Sequence, residues 1–369
     1  MVGQIKAKPE VNIAFQTLAT TAIQRSANGI LCILVNDDTQ TTHWTEIGNI
    51  ADLTAEDWDS HTVEIIKSAY LVYSPKKILI RAIQSDERSD YSPLLKELEN
   101  KNIDVLACPS ADNSKDSTVV AWIKSVFGTD SIGKTIQYVS SHSNGADHVA
   151  IIELANTGNY KTTVGTFTAQ EFTVAIGAMI AGCPINVSLD NKIVTGLTDV
   201  AEIEATKGKF SLYNDDGKYR INYAINSKTT FNNMWKKDTR KIKVVSGMLQ
   251  IVKDIRNTFR DYWIGNYLNS YDNKMNFCSN VTKVYFKELE PNILSADYKN
   301  YITIDFEAQK RYIVTEGLDP DEMTELEILK YPTGDDVYLV GDVRFTDTMS
   351  NLFLSIMMWC TIKVLCVVM

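Results

Sequence analysis

Val11, Ile13 and Phe15 alternate with Asn12 and Ala14 in EVNIAFQ (10–16), a period-two pattern that predicts an extended strand with no local partner. GILCILV (29–35) is a continuous apolar run and predicts a buried strand. Helix and strand patterns then alternate. A TAED capping pattern at Thr54 predicts a helix running toward Tyr70. KILIRAI (77–83) predicts a strand, 92–100 a short helix, and IDVLA (103–107) a strand. STVVAWIKSVF (117–127) predicts a helix, and TIQYVS (135–140) and VAIIEL (149–154) predict strands. Thr168 and Glu171 form a second capping box, whose helix runs to Ala181 and stops at Gly182 and Pro184. Such alternation implies an α/β fold, an open sheet with helices on both faces.

From about residue 200 the pattern changes. NDDGK lies between alternating segments in 209–225 and predicts a hairpin. Val245, Met248, Val252, Ile255, Phe259 and Tyr262 follow three–four spacing and predict one long amphipathic helix over 241–268. Helices are expected over 272–289 and 305–316, and strands over 337–345 and 352–358. The second half therefore reads as mixed α+β. There is no internal repeat or low-complexity linker.

Composition narrows this only a little. A chain of 369 residues can bury one large core or two smaller ones. A net charge of −9 argues against a surface built as a whole for nucleic acid. The six cysteines (32, 108, 183, 278, 360 and 366) have no CxxC or zinc-like spacing, so free thiols in a reducing compartment are expected. The start, MVGQIKAKPE, has no apolar core of a secretory signal. LFLSIMMWCTIKVLCVVM (352–369) is of marginal length for a membrane span, and its alternation favours a terminal strand. Membrane insertion is not expected.

Candidate chemistry is sparse. GTDSIGKT (128–135) matches the phosphate-binding loop pattern G-x-x-x-x-G-K-[ST], which would make Lys134 a phosphate ligand in a nucleotide-binding enzyme. That loop needs a strand before it and a helix after it, and here the predicted order is reversed. His142 and His148 stand near Asp147 in SHSNGADH without metal-ligand spacing. There is no GxSxG elbow. The carboxylate pairs Asp215–Asp216, Asp335–Asp336 and Glu288–Glu290 read as surface charge. No catalytic residue, metal or cofactor is expected.

Two features favour an assembly part. Strands near each end of the chain lack a predicted hairpin partner, and their backbone groups could be paired by a neighbour's sheet. Lys236, Lys237, Arg240, Lys241, Lys243, Lys253, Arg256 and Arg260 crowd into one stretch of an acidic chain. Lys243, Lys253 and Arg260 are expected on the helix face away from the apolar row, available to an acidic partner. Nucleic acid suits that face less well, since no aromatic residues interleave for base stacking.

IGNYLNSYDNK (264–274), with the helix preceding it from 241, and IDFEAQKRYIVTEGLD (304–319) resemble the C-terminal domain of contractile tail sheath proteins, those of contractile phage tails and of R-type, diffocin-like bacteriocins. VYLVGDVRFTDTMSNLFLSI (337–356), PEVNIAFQTLATTAIQRSANGI (9–30) and IGAMIAGCPINVSL (176–189) extend the resemblance over nearly the whole chain, most loosely over 36–160. The resemblance implies a structural subunit of a six-fold helical sleeve around an inner tail tube. Such a sleeve contracts to drive the tube through a cell envelope. It also implies a central domain of subtilisin-like fold, here without a protease motif. Baseplate and tail terminator proteins are the further partners implied. The particle would be a virion or phage-tail-like machine assembled in the bacterial cytoplasm.

On that basis residues 1–24 are expected to be an N-terminal arm, 25–200 the α/β central domain, 201–345 a C-terminal sheath domain and 346–369 a C-terminal arm. Val11, Ile13 and Phe15 would form one inter-subunit arm strand, and Leu352, Leu354 and Ile356 the other. Lys243, Lys253 and Arg260 would face the tube. One departure is that the resemblance fades near Ile356 to Met358, after which WCTIKVLCVVM follows. It reads as a longer arm, an altered reading frame or a membrane-seeking tail.

Overall fold

The computed structural model describes residues 29–127, 134–142, 145–201, 203, 207–232 and 235–350, with the backbone alone at 353–357 and 363–367. The expected arm strand Val11, Ile13 and Phe15, and Leu352, lie outside the described residues.

The first half is built on a sheet in which β1 (Ile30–Asn36) is central and pairs in parallel with β3 (Lys77–Ile83) and β4 (Val105–Ala107). The sheet continues in parallel through β5 (Gln137–Ser140) to β6 (Ile151–Glu153). β2 (Trp44–Ile47) adds an antiparallel edge beside β3, giving the order β2-β3-β1-β4-β5-β6. Both faces of β1 are covered, so its buried run has no polar alternation. One face packs on α1 (Ser60–Ser68) and α4 (Ala169–Gly182), the other on α2 (Ser92–Leu98) and α3 (Asn113–Val126).

The apolar runs predicted these elements closely, and the Thr168–Glu171 capping box is present. The Thr54 expectation is corrected. Ala55–Asp57 makes a single 3₁₀ turn that Thr54 does not cap with its side chain. Trp58 then returns to extended backbone, and α1 starts only after Asp59, whose carboxylate accepts from His61 N. β2 was not predicted, because four residues are too few for periodicity to register. It is held by Trp44 Nε1 donating to Glu97 at 2.9 Å, a carboxylate shared with Arg81, which is 3% exposed.

Next to this sheet lies a small antiparallel one with the order β8-β7-β9, formed by β7 (Tyr160–Thr162), β8 (Thr166–Phe167) and β9 (Leu197–Asp199). The predicted hairpin is β10 (Leu212–Asp215) with β11 (Lys218–Ile221). Asp216 and Gly217 form its two-residue turn at φ +50° and +78°, which the twist of a hairpin favours.

The C-terminal half has its own core around Phe277, Val281, Tyr285, Phe286 and Leu294. α5 (Ile242–Thr258) is shorter than expected. It passes into a π-helical turn at Phe259–Trp263 and ends at Ile264, followed by Gly265 at φ +77°. α6 (Tyr271–Asn280) and α7 (Phe286–Leu289) are joined through a second π-helical turn, Val281–Tyr285. β12 (Tyr301–Ile304), α8 (Phe306–Thr315), α9 (Glu325–Lys330) and β13 (Leu339–Asp342) follow, with β12 and β13 paired antiparallel.

β14 (Phe353–Met357) pairs antiparallel with β15 (Lys363–Val367), matching Leu354 with Cys366 and Ile356 with Val364. This corrects the expectation that the C-terminal strand lacks a hairpin partner. The KVLCV stretch of the extension supplies one.

Candidate functional site

The phosphate-loop pattern lacks its supporting geometry. α3 precedes it and β5 follows it, the reverse of what a nucleotide site requires. Lys134 N donates to Val126 O at 2.9 Å, and its ammonium donates to Lys101 O at 3.3 Å. No helix begins at Lys134, so its charge meets no helix N-terminus.

The histidine loop is a joint. Asp147 accepts from Thr229 N at 2.6 Å and Thr230 N at 2.9 Å, and pairs with Lys228. These donors outweigh its partial burial and hold its carboxyl well below the usual range. His148 packs edge-on against Phe127, and its Nδ1 accepts from Ala150 N. Burial, with Lys124 and Lys228 nearby, pushes it down to about 4 against the pull of Asp147. Among the described residues no group of His, Cys, Asp and Glu could hold a metal ion.

This joint has a pH signature. Neutral His148 and ionised Asp147 are the forms the fold favours, and both folded values lie below the unfolded ones. His148 contributes stability that is complete above its unfolded value near 6.5 and is lost as pH falls toward about 4. Asp147 adds its loss at lower pH still. Thermal melting is expected to drop by several degrees from pH 7 to pH 4.5. In His148→Gln that drop shrinks, and an unchanged pH profile would contradict the assignment.

The carboxylate pairs are mostly surface charge, with one correction. Glu290 is 7% exposed at its side chain, accepting from Lys287 at 2.8 Å and Asn300 at 2.6 Å. Asp215 pairs with Arg220, and Asp335 and Asp336 lie near the tight turn at Gly334. The thiols of Cys32, Cys108, Cys183 and Cys278 are free, and burial raises each of them.

The basic helix face is not the free stripe the spacing implied. Val252 is 45% exposed and Tyr262 45% exposed, while Ile251, Asp254 and Thr258 are buried. The buried face is therefore rotated from the predicted apolar row. Asp254 draws it round, accepting from Tyr285 Oη at 2.8 Å and Gln250 Nε2 at 2.9 Å. Lys253 consequently points at the central sheet and pairs with Asp104 at 2.6 Å. Lys243 donates to Thr346 O at 2.9 Å, beside the Lys241–Asp347 pair. Arg260 is exposed and pairs with Asp261 at 2.8 Å. All three residues expected to face a tube thus have partners within the chain, and of these Arg260 is the exposed one.

The C-terminal half also presents a surface suited to strand addition. Among the described residues the β12–β13 ladder has two strands. Thr282 Oγ1 accepts from Ile302 N at 3.1 Å and so covers the outer flank of β12. The outer flank of β13 pairs with no other strand among the described residues, and Val340 on it is 46% exposed. Open edges of this kind accept a strand from another chain. Among the described residues no helix is long and apolar enough to cross a membrane.

No protein-family model matches the chain. A tail sheath protein of Clostridium phage phiCD119 is 26% identical over 367 residues, covering 94% of this chain and 98% of that protein. The chain resembles that tail sheath protein over 94% of its length. A crystal structure of the sheath tail protein of Listeria innocua superposes with a TM-score of 0.67 at 14% identity, over 81% of this chain and 93% of that one. The helical sheath of the anti-feeding prophage, in its contracted state, gives 0.63 at 12% identity over 90% and 93%. The tail sheath fold thus accounts for both halves of the molecule. These similarities support a structural subunit, and they leave the phosphate-loop reading without support.

Proposed function

We propose that this chain is a structural subunit of a contractile tail sheath. It assembles as a six-fold helical sleeve around an inner tube and contracts to drive that tube through a cell envelope. The observation that carries the proposal is the match to a phage tail sheath protein along 94% of the chain. The energy of contraction comes from relaxation of the assembly, and the chain catalyses no reaction. The central domain is of the sheath, subtilisin-like type without its chemistry.

Residues 1–24 act as one arm and 346–369 as the other. Val11, Ile13 and Phe15, with Leu352, Leu354 and Ile356, supply the strands, and the open flank of β13 is an acceptor for them. The tube, baseplate and tail terminator are the other partners. The particle is a virion or phage-tail-like machine.

Purified full-length chain at high concentration is expected to sediment as polymer and to appear in negative stain as hollow, striated tubes. A soluble monomer at every concentration, also in the presence of a tube protein, would reject the proposal.

A further inference from the structure

The groove between α5 and the edge where β1, β4 and β5 begin carries an excess of positive charge. One stretch of it, a cavity of about 350 Å³, is lined by Lys101, Lys134, Lys253, Arg256 and Arg260. Glu99 is the one carboxylate among its described lining residues. Asp104 answers Lys253 and Asp261 answers Arg260, while among the described residues the Lys134 ammonium donates to the Lys101 carbonyl. Burial, together with Lys253 and Arg256, pushes Lys134 down against the pull of Glu99. An added carboxylate would relieve that repulsion.

The adjoining cavity, about 320 Å³, shares Asn102, Thr135, Lys253 and Asn257 with the first. Gln137 lines it at 3% exposure. Its Oε1 accepts from Ser246, while its Nε2 has no protein partner. A buried donor left without an acceptor is costly. Ile185 and Leu249 add apolar lining.

The same chain carries a complementary surface. Residues 316–327, EGLDPDEMTELE, hold six carboxylates and no cation. Glu316, Asp319, Asp321, Glu322, Glu325 and Glu327 are all exposed. Leu318 and Leu326 stand out from the segment at 50% and 51% exposure.

We propose that the basic groove receives the acidic 316–327 segment of a second copy of the chain, a contact that rests on the sheath reading. Groove and segment are different surfaces of one subunit. The contact is therefore heterologous and propagates as an open helical array needs. Carboxylates would meet Lys134 and the basic lining beside it, and the leucines would cover Ile185 and Leu249.

The test uses full-length chain below its assembly concentration and a fluorescent peptide of residues 316–327, followed by anisotropy. Binding is expected to weaken as salt rises and to fall about tenfold or more with Lys134→Glu plus Arg260→Glu, at unchanged melting temperature. A peptide with its six acids replaced by amides is expected not to bind. In the assembly itself, the groove reversal and a Glu322→Lys plus Glu325→Lys reversal should each suppress tubes, and one chain carrying both should recover them.

Equal peptide binding by wild type and groove variant would overturn the proposal. So would a groove that binds pyrophosphate and ignores the peptide. Wild-type tubes indifferent to both reversals would sink the contact while leaving the sheath reading intact. Peptide binding without wild-type tubes would keep the groove and sink the sheath.

Discussion

Phe172→Ala is expected to cost about 4 kcal/mol, the usual loss when a buried phenylalanine is cut back to alanine. Phe172 is 0% exposed on α4, in the core shared by β1, α1 and the β7–β9 sheet. Its ring stacks on Tyr160 at 4.2 Å with planes 13° apart, so the loss includes a specific aromatic pair as well as buried area. Little can collapse into the space, because α4 is buried along nearly all its length. Close approach is built in at the far end of α4: a Cβ on Gly182 would sit 2.8 Å from Ser74 O, and one on Gly29 2.5 Å from Ala181 O. Chemical denaturation of the two proteins measures the difference. Phe172→Leu, which keeps much of the volume, should lose less than half as much, and equal stability of Phe172→Ala and wild type would refute the packing account.

The second large effect concerns assembly. Deleting residues 1–24 is expected to abolish tube formation while leaving a folded chain with wild-type circular dichroism and melting. The cores formed by the described residues begin at Leu31, beyond that segment. Gly29 already ties the start of β1 to α4 through Ala181 O at 2.7 Å. A strand added to another subunit contributes a row of main-chain hydrogen bonds that no side-chain contact replaces. Electron microscopy of the truncated chain at wild-type polymerising concentrations gives the answer. Normal tubes would show that the arm is dispensable, and a loss of melting would show that it belongs to the fold.

What the sequence revealed follows from how strongly each element depends on local pattern. β1 is covered on both faces, so its apolar run is unbroken, and its limits and those of β3 fell within one residue of expectation. The Asp216–Gly217 turn was legible because left-handed backbone restricts the residues that can occupy it. β2, β7, β8, β9 and β12 have two to four residues each and owe their existence to neighbours. The C-terminal hairpin was missed because β15 lay in a stretch whose apolar run admitted several readings.

The basic face failed for a different reason. Periodicity placed Val252 and Tyr262 inward, but a buried polar pair, Asp254 with Tyr285, sets the rotation of α5. Hydrophobic spacing does not register such a pair. That rotation turned Lys253 from an expected outer contact into a partner of Asp104. A helix before the loop pattern at Lys134 and a strand after it were expected, and the observed order, α3 before and β5 after, agrees.

The most direct test of the central claim is helical reconstruction by cryo-electron microscopy of the polymer formed by full-length chain. The sheath account predicts a hollow six-fold wall in which subunits are joined by added strands, with one such strand on the outer flank of β13. A closed oligomer of a few subunits, or a filament with no central lumen, would contradict it.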